Sequence, residues 1–74
     1  MPRLDNRKIR KLRQGSMSNN GNDMLVADLA AMIEISHPML TRMENDETYN
    51  PGVLTLLKVS EYFNVTIDDL IIKD

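Results

Sequence analysis

The segment 34–36 (Glu-Ile-Ser) places the tightest constraint on the fold, because it ends one helix and starts another. Ser36 is a favourable N-cap, and Pro38 is tolerated in the first helical turn, where its missing N–H has no intrahelical acceptor. Ile35 before the cap and Leu40 after it form a hydrophobic-staple pair. The sequence therefore predicts a helix directly after Ser36, separated from the preceding helix by only a short turn.

Apolar residues at helical spacing predict five short helices in total. The predicted ranges are 6–14, 24–33, 37–45, 52–63 and a last helix that starts after Thr66. Asp5 or Asn6 is expected to cap the first helix and Gly15 to close it. Thr66 and Asp69 predict a capping box for the last one. No strand pattern and no repeat is present, so we expect an all-α fold.

The expected core consists of the apolar residues that share the inward faces of these helices. It comprises Leu29, Ile33, Leu40, Met43, Leu56, Leu57, Phe63 and Leu70. The inward face of helix 52–63 is expected to consist of Val53, Leu56, Leu57, Val59, Ser60 and Phe63. Residues 15–23 carry two glycines and three asparagines and are predicted to form a loop, which is long for a small helical domain.

Length and composition exclude several classes of function. The 74 residues are expected to form one domain over 1–74 with a modest core. The chain has no cysteine and one histidine, so we expect no disulfide, no metal site and no cofactor. It has neither a nucleophile–base constellation nor a glycine-rich phosphate loop, which predicts that the protein is not an enzyme. No membrane span and no signal peptide is evident, and a cytoplasmic location is expected.

Charge is distributed unevenly along the chain. Residues 1–13 hold six basic side chains and one acid, a net charge of +5, whereas residues 14–74 hold three basic side chains and ten acids, a net charge of −7. Two interpretations stay open at this point. The basic helix packs beside acidic helices and the charges cancel, or it forms a local patch that binds phosphate on an acidic protein.

The order of these features resembles a known family. The residues that carry the resemblance are Ile9-Arg10-x-Leu12-Arg13, Leu29-Ala30-x-x-Ile33-x-Ile35-Ser36-x-x-x-Leu40-x-Arg42-Met43-Glu44-Asn45, Asn50-Pro51 and residues 55–70. Together they are similar to the helix-turn-helix family of phage repressors and Cro proteins, with a lambda repressor-like fold. The resemblance implies a supporting helix at about 24–33 and a recognition helix at about 37–45, whose N-terminal residues face the DNA major groove.

By this resemblance the protein is expected to be a sequence-specific double-stranded DNA-binding transcriptional regulator of phage or mobile-element origin, and a homodimer at least on DNA. DNA contacts are expected from Ser36, His37, Pro38, Met39, Thr41, Arg42, Asn45, Tyr49 and Asn50. Phosphate contacts are expected from Arg7, Lys8, Arg10 and Lys11. Arg13 is expected to form a structural ion pair with Glu44. The dimer surface is expected on the last helix with Ile71-Ile72, or on the exposed side of helix 52–63.

Structural alternatives accompany several of these residues. Ser36 is an N-cap as well as a possible phosphate ligand, and His37 is alternatively a solvated surface histidine. Arg42 could instead pair with Glu34 or Asp46 on the protein surface. Asn50 could cap the fourth helix.

The sequence also departs from the family pattern, which supports a second hypothesis. Val26 stands where glutamine is frequent in the family. Leu25 stands where a capping threonine is common, and Asp23 is the replacement cap. Pro38 and Met39 stand where base-reading polar residues are usual. An exposed apolar patch is expected from Met24, Leu25, Val26, Pro38 and Met39. Such a patch favours a protein partner. The alternative function is therefore a modulator or antirepressor that binds another regulator.

Overall fold

The computed structural model describes residues 2–16 and 24–73, which form four α-helices, one 3₁₀ turn and a two-stranded sheet. In chain order these are β1 (Arg3–Leu4), α1 (Asn6–Gln14), α2 (Val26–Met32), α3 (His37–Asn45), α4 (Val53–Phe63), the 3₁₀ turn (Asp68–Leu70) and β2 (Ile71–Ile72). Most of the predicted loop, including the proposed cap Asp23, lies outside the described residues.

The boundaries of α1 to α4 agree with the sequence prediction to within two residues, and at α1 and α3 a side-chain cap explains the agreement. The Asp5 carboxylate accepts the backbone N–H of Lys8 at 3.1 Å, so Asp5 rather than Asn6 caps α1. The Ser36 hydroxyl accepts the N–H of Met39 at 3.2 Å at the start of α3. Both contacts satisfy donors that the first helical turn leaves without a partner.

The prediction of a fifth helix is wrong, because the chain after Thr66 forms only one 3₁₀ turn. The capping box itself is present. The N–H of Thr66 donates to Asp69 Oδ2 at 3.1 Å, and the N–H of Asp69 donates to Thr66 Oγ1 at 3.2 Å. These hydrogen bonds from Thr66, the backbone one first, hold the pKa of the Asp69 carboxyl below its usual value. The capping box therefore forms a single turn that no helix continues.

A short antiparallel sheet takes the place of that helix, which corrects the expectation that strands are absent. Leu4 pairs with Ile71 and Arg3 with Ile72. The N–H of Asp5 extends the pairing by donating to the Leu70 carbonyl at 2.8 Å. β-Branched isoleucine favours extended backbone, and the pairing satisfies backbone groups that a lone helical turn would leave open.

The core lies between α1, α2, α3, α4 and the 3₁₀ turn. Its fully buried side chains are Ile9, Leu29, Leu40, Met43, Val59 and Leu70. The inward face of α4 is narrower than predicted: Val53 is 66% exposed, Leu57 is 41% exposed and Phe63 is only partly buried. Leu54 is 71% exposed. Because successive helical residues rotate by about 100°, Val53, Leu54 and Leu57 share the side of α4 that faces away from the core.

The turn between α2 and α3 uses a left-handed residue. Glu34 has φ of 60°, a conformation that costs a residue with a side chain roughly 1 kcal/mol. The N–H of Ile35 donates to the Ala30 carbonyl at 3.0 Å, and Lys58 Nζ donates to the Glu34 carbonyl at 3.3 Å. These hydrogen bonds hold the turn, so that α3 packs across α2 with its C-terminal half against α1.

Candidate nucleic-acid interface

The outward face of α3 collects polar side chains, because residues one helical turn apart lie on the same side. Five of the sequence-predicted contact residues share this face, all exposed except the half-buried Thr41: His37, Pro38, Thr41, Arg42 and Asn45. The opposite face buries Leu40, Met43 and Glu44 in the domain. Met39 is half-buried against the core and lies at the edge of the outward face.

Polar contacts run along the outward face of α3. Thr41 Oγ1 lies 3.5 Å from His37 Nδ1, and Asn45 Nδ2 donates to the Thr41 carbonyl at 2.8 Å. Arg10 Nη2 donates to Asn45 Oδ1 at 2.5 Å. The side chains that face solvent are therefore held in defined positions before any ligand arrives.

Arg42 is oriented by two neighbours and still remains open to solvent. Its guanidinium carbon lies 4.6 Å from the centre of the Tyr49 ring, and Nη2 lies 3.5 Å from Asp46 Oδ2. The Arg42 side chain is nevertheless 60% exposed. Of the two acids considered from sequence, Asp46 is the partner. The Arg42 guanidinium keeps donors available for a phosphate or for the acceptor edge of a guanine.

Hydrogen bonds from Thr48 favour the ionised form of Asp46. The side-chain and backbone hydrogen bonds from Thr48, at 2.7 and 2.9 Å, lower the pKa of the Asp46 carboxyl, and Arg42 lowers it further. The Asp46 side chain is 34% exposed, so solvent partly screens its attraction for Arg42. Its main effect is to direct the guanidinium rather than to neutralise it.

Arg13 and Glu44 form the ion pair that the resemblance implied. Arg13 Nε donates to Glu44 Oε2 at 2.7 Å and Arg13 Nη2 donates to Glu44 Oε1 at 2.8 Å, a bidentate arrangement. The Glu44 side chain is only 2% exposed. Arg13 Nη1 also donates to the Met24 carbonyl at 2.8 Å. This pair therefore joins α1 to α3 and to the residue that leads into α2.

The other basic residues of α1 occupy different surroundings. Arg7 and Lys11 lie one turn apart, are exposed, and form no ion pair with residues 2–16 or 24–73. Lys8 is half-buried, and its charge contributes to the lowered pKa of Asp69. Arg10, in contrast, reaches α3, where Nη2 donates to the Glu44 carbonyl at 2.9 Å. Sequence reasoning missed this contact, because charge alone does not distinguish Arg10 from its neighbours.

The remaining predicted contacts lie at the ends of α3. Ser36 caps the helix, and Tyr49 is half-buried beneath Arg42. Asn50 is exposed beside the buried Pro51, and it does not cap α4, whose N-cap is Gly52 without a side-chain hydrogen bond. The structural alternative for Asn50 is therefore wrong.

The apolar patch predicted around the start of α2 is smaller than expected. Met24 is buried, because Tyr62 and the core enclose it while Arg13 holds its carbonyl. Val26 and Met39 are partly buried against the core. Only Leu25 and Pro38 of the predicted patch are exposed. The observation that favoured a protein partner is therefore much weaker in the folded chain.

Within 2–16 and 24–73, no group of three or more His, Cys, Asp or Glu side chains is placed to hold a metal ion. No helix in these ranges has the length and apolar character that crossing a membrane requires.

Comparison with known proteins places this geometry in context. A family model described as Helix-turn-helix, of the Cro/C1 type (HTH_3), matches residues 7–70, from the second residue of α1 to the end of the 3₁₀ turn. Searches among curated proteins and among solved structures give no match.

Proposed function

This chain belongs to the Cro/C1-type helix-turn-helix family, a non-catalytic family of DNA-binding transcriptional regulators, and we propose on that premise that it binds double-stranded DNA sequence-specifically through α3. The proposed setting is a phage or mobile element, because the sequence resembles phage repressors and Cro proteins. The expectation that the protein is not an enzyme agrees with its family.

The observation that carries the proposal is the solvent-facing Arg42, held by Asp46 and Tyr49 on the outward face of α3. The major groove of B-DNA admits one α-helix and offers donors and acceptors to its side chains. An oriented guanidinium on such a helix suits either a bidentate contact with guanine or a phosphate contact. Thr41, next to Arg42 in sequence, and His37, one helical turn before Thr41, add a hydroxyl and an imidazole to the same face.

The flanking contacts form the rest of the proposed interface. The start of α3 offers Ser36, Pro38 and Met39, with Pro38 and Met39 limited to apolar contacts such as a thymine methyl. Tyr49 and Asn50 follow α3, in a position where a turn commonly approaches phosphate. The exposed Arg7 and Lys11, with Lys8 beside them, are proposed to hold phosphates.

Salt dependence of binding tests this proposal directly. Duplexes selected by the protein from a random-sequence library should bind with a log–log salt slope of several units, because each phosphate contact contributes about −0.9. Unrelated duplexes should bind more weakly at every salt concentration. Absence of binding to any duplex at low salt would refute the proposal. The alternative, capture of another regulator, would then be tested by pull-down.

A dimer on DNA is also proposed, since paired recognition helices must meet half-sites about 34 Å apart. The outward face of α4, with Val53, Leu54 and Leu57 exposed, is the surface proposed for the second copy. The other surface considered from sequence is less suitable, because Ile71 and Ile72 are half-buried in the sheet.

Leu54→Lys is expected to weaken self-association at least tenfold and to reduce cooperative DNA binding, because it places a charge on the proposed dimer surface. The melting temperature of the monomer should change little, since Leu54 is 71% exposed. Sedimentation velocity over a concentration series measures the association. Glu47→Lys, an exposed change outside α4, is the control for association. Identical association of the wild type and Leu54→Lys would exclude this surface.

A further inference from the structure

Arg10 belongs to α1, but its side chain ends at the C-terminus of α3. Nη2 donates to the Glu44 carbonyl at 2.9 Å and to Asn45 Oδ1 at 2.5 Å, while Nε lies 3.8 Å from Glu44 Oε1. The last carbonyls of an α-helix have no intrahelical donor, and a cation near them interacts favourably with the helix dipole. The guanidinium of Arg10 is therefore engaged at the C-terminal end of α3, while the side chain stays 42% exposed.

The amide of Asn45 is held from both sides by this arrangement. Its Oδ1 accepts from Arg10, and its Nδ2 donates to the Thr41 carbonyl at 2.8 Å. A primary amide has two N–H donors and an oxygen with two lone pairs, so one donor and one acceptor stay open. Asn45 is exposed and shares the outward face of α3 with Thr41 and Arg42. An open donor beside an open acceptor matches N7 and N6 on the major-groove edge of adenine.

We propose that Arg10 is a positioning residue, which fixes the Asn45 amide so that its open donor and acceptor face a base, adenine being the matching one. Arg10 itself makes no contact with DNA in this arrangement. This inference rests on the proposed function and assigns a specificity-determining pair within it. It also replaces the expectation that Arg10 holds a phosphate.

The free protein provides the first test. The Asn45 side-chain NH₂ signals are followed by NMR in the wild type, Arg10→Gln and Lys11→Gln. Both variants remove one positive charge from α1, but only Arg10 touches the amide. We expect the Asn45 signals to move in Arg10→Gln and to stay in place in Lys11→Gln. Unchanged signals in Arg10→Gln would overturn the proposal without any DNA experiment.

DNA binding provides the second test, on duplexes that the wild type selects from a random-sequence library. Arg10→Gln is expected to lower the ratio of specific to non-specific affinity about tenfold, the loss of one base contact, while the salt slope changes by less than 0.9. Lys11→Gln is expected to reduce the salt slope by about 0.9 and to leave the ratio unchanged. A purely structural role of Arg10 would instead lower the melting temperature and leave the ratio intact.

The Asn45→Ala background separates the remaining outcomes. There Arg10→Gln should lower the ratio no further, because the amide that it positions is absent. A further drop in the ratio of specific to non-specific affinity would overturn the inference and leave the proposed function standing. So would an equal loss of affinity for all duplexes together with a reduced salt slope. If the wild type selects no duplex at all, the proposed function fails and the inference falls with it.

Discussion

Glu44→Ala is expected to lower the free energy of unfolding by about 3–5 kcal/mol, the typical cost of removing one partner from a buried ion pair. The reason is the guanidinium of Arg13, whose side chain is only 13% exposed and would lose both of its hydrogen bonds to Glu44. Arg10 lies within 3.8 Å of the same carboxylate, so two cations would remain close together without it. For a domain of this size the melting temperature should fall by more than about 10 °C. Thermal unfolding followed by circular dichroism measures the change.

Glu47→Ala is the matched control for this experiment. It also removes one acid, but Glu47 is exposed, and its loss should change stability by no more than about 0.5 kcal/mol. Equal melting temperatures for the two variants would show that the Arg13–Glu44 pair does not stabilise the contact between α1 and α3.

The N-terminal starts of α1 and α3 were predictable because their sequence signals are local. Asp5 and Ser36 each cap a helix through a hydrogen bond that closes within three residues. The same kind of signal at Thr66 predicts a start but not a length, since a capping box forms equally well on a single turn. What ends that turn is the pairing of Ile71–Ile72 with Arg3–Leu4. Those strands are far apart in sequence, and no local pattern reveals that they meet.

The contents of the candidate interface were predictable to a similar extent. A rotation of about 100° per residue already places His37, Thr41 and Asn45 on one side of a helix. The same periodicity placed Leu57 in the core, where the structure leaves it 41% exposed, because amphipathic spacing does not specify how wide the covered face is. It also gave no information that Arg10, in addition to Arg13, would turn towards α3. That orientation depends on the packing of α1 against α3, a contact between distant segments.

Arg42→Ala is expected to weaken specific DNA binding about 10- to 100-fold, the usual loss for an arginine that contacts a base or phosphate in the groove. Stability should hardly change, because the side chain is 60% exposed and its pairing with Asp46 is solvent-screened. Affinity for a selected duplex is measured by fluorescence anisotropy at constant salt, and unfolding is followed by circular dichroism. Lys73→Ala removes an exposed charge that pairs with Asp68 and does not belong to α3, and it serves as the control.

Arg42→Lys then distinguishes the two kinds of contact. A phosphate accepts a lysine ammonium in place of the guanidinium, so affinity and salt slope would largely return. A guanine pair depends on the planar fork of arginine, so lysine would restore charge but lose discrimination at one base pair of the site. If Arg42→Ala binds the selected duplex as tightly as the wild type and remains folded, then α3 is not the recognition helix. Arg42 extends from α3, and Arg10 contacts the C-terminal end of the same helix from α1. Loss of specificity in both Arg42→Ala and Arg10→Gln would therefore place the DNA-reading surface along the whole exposed side of α3.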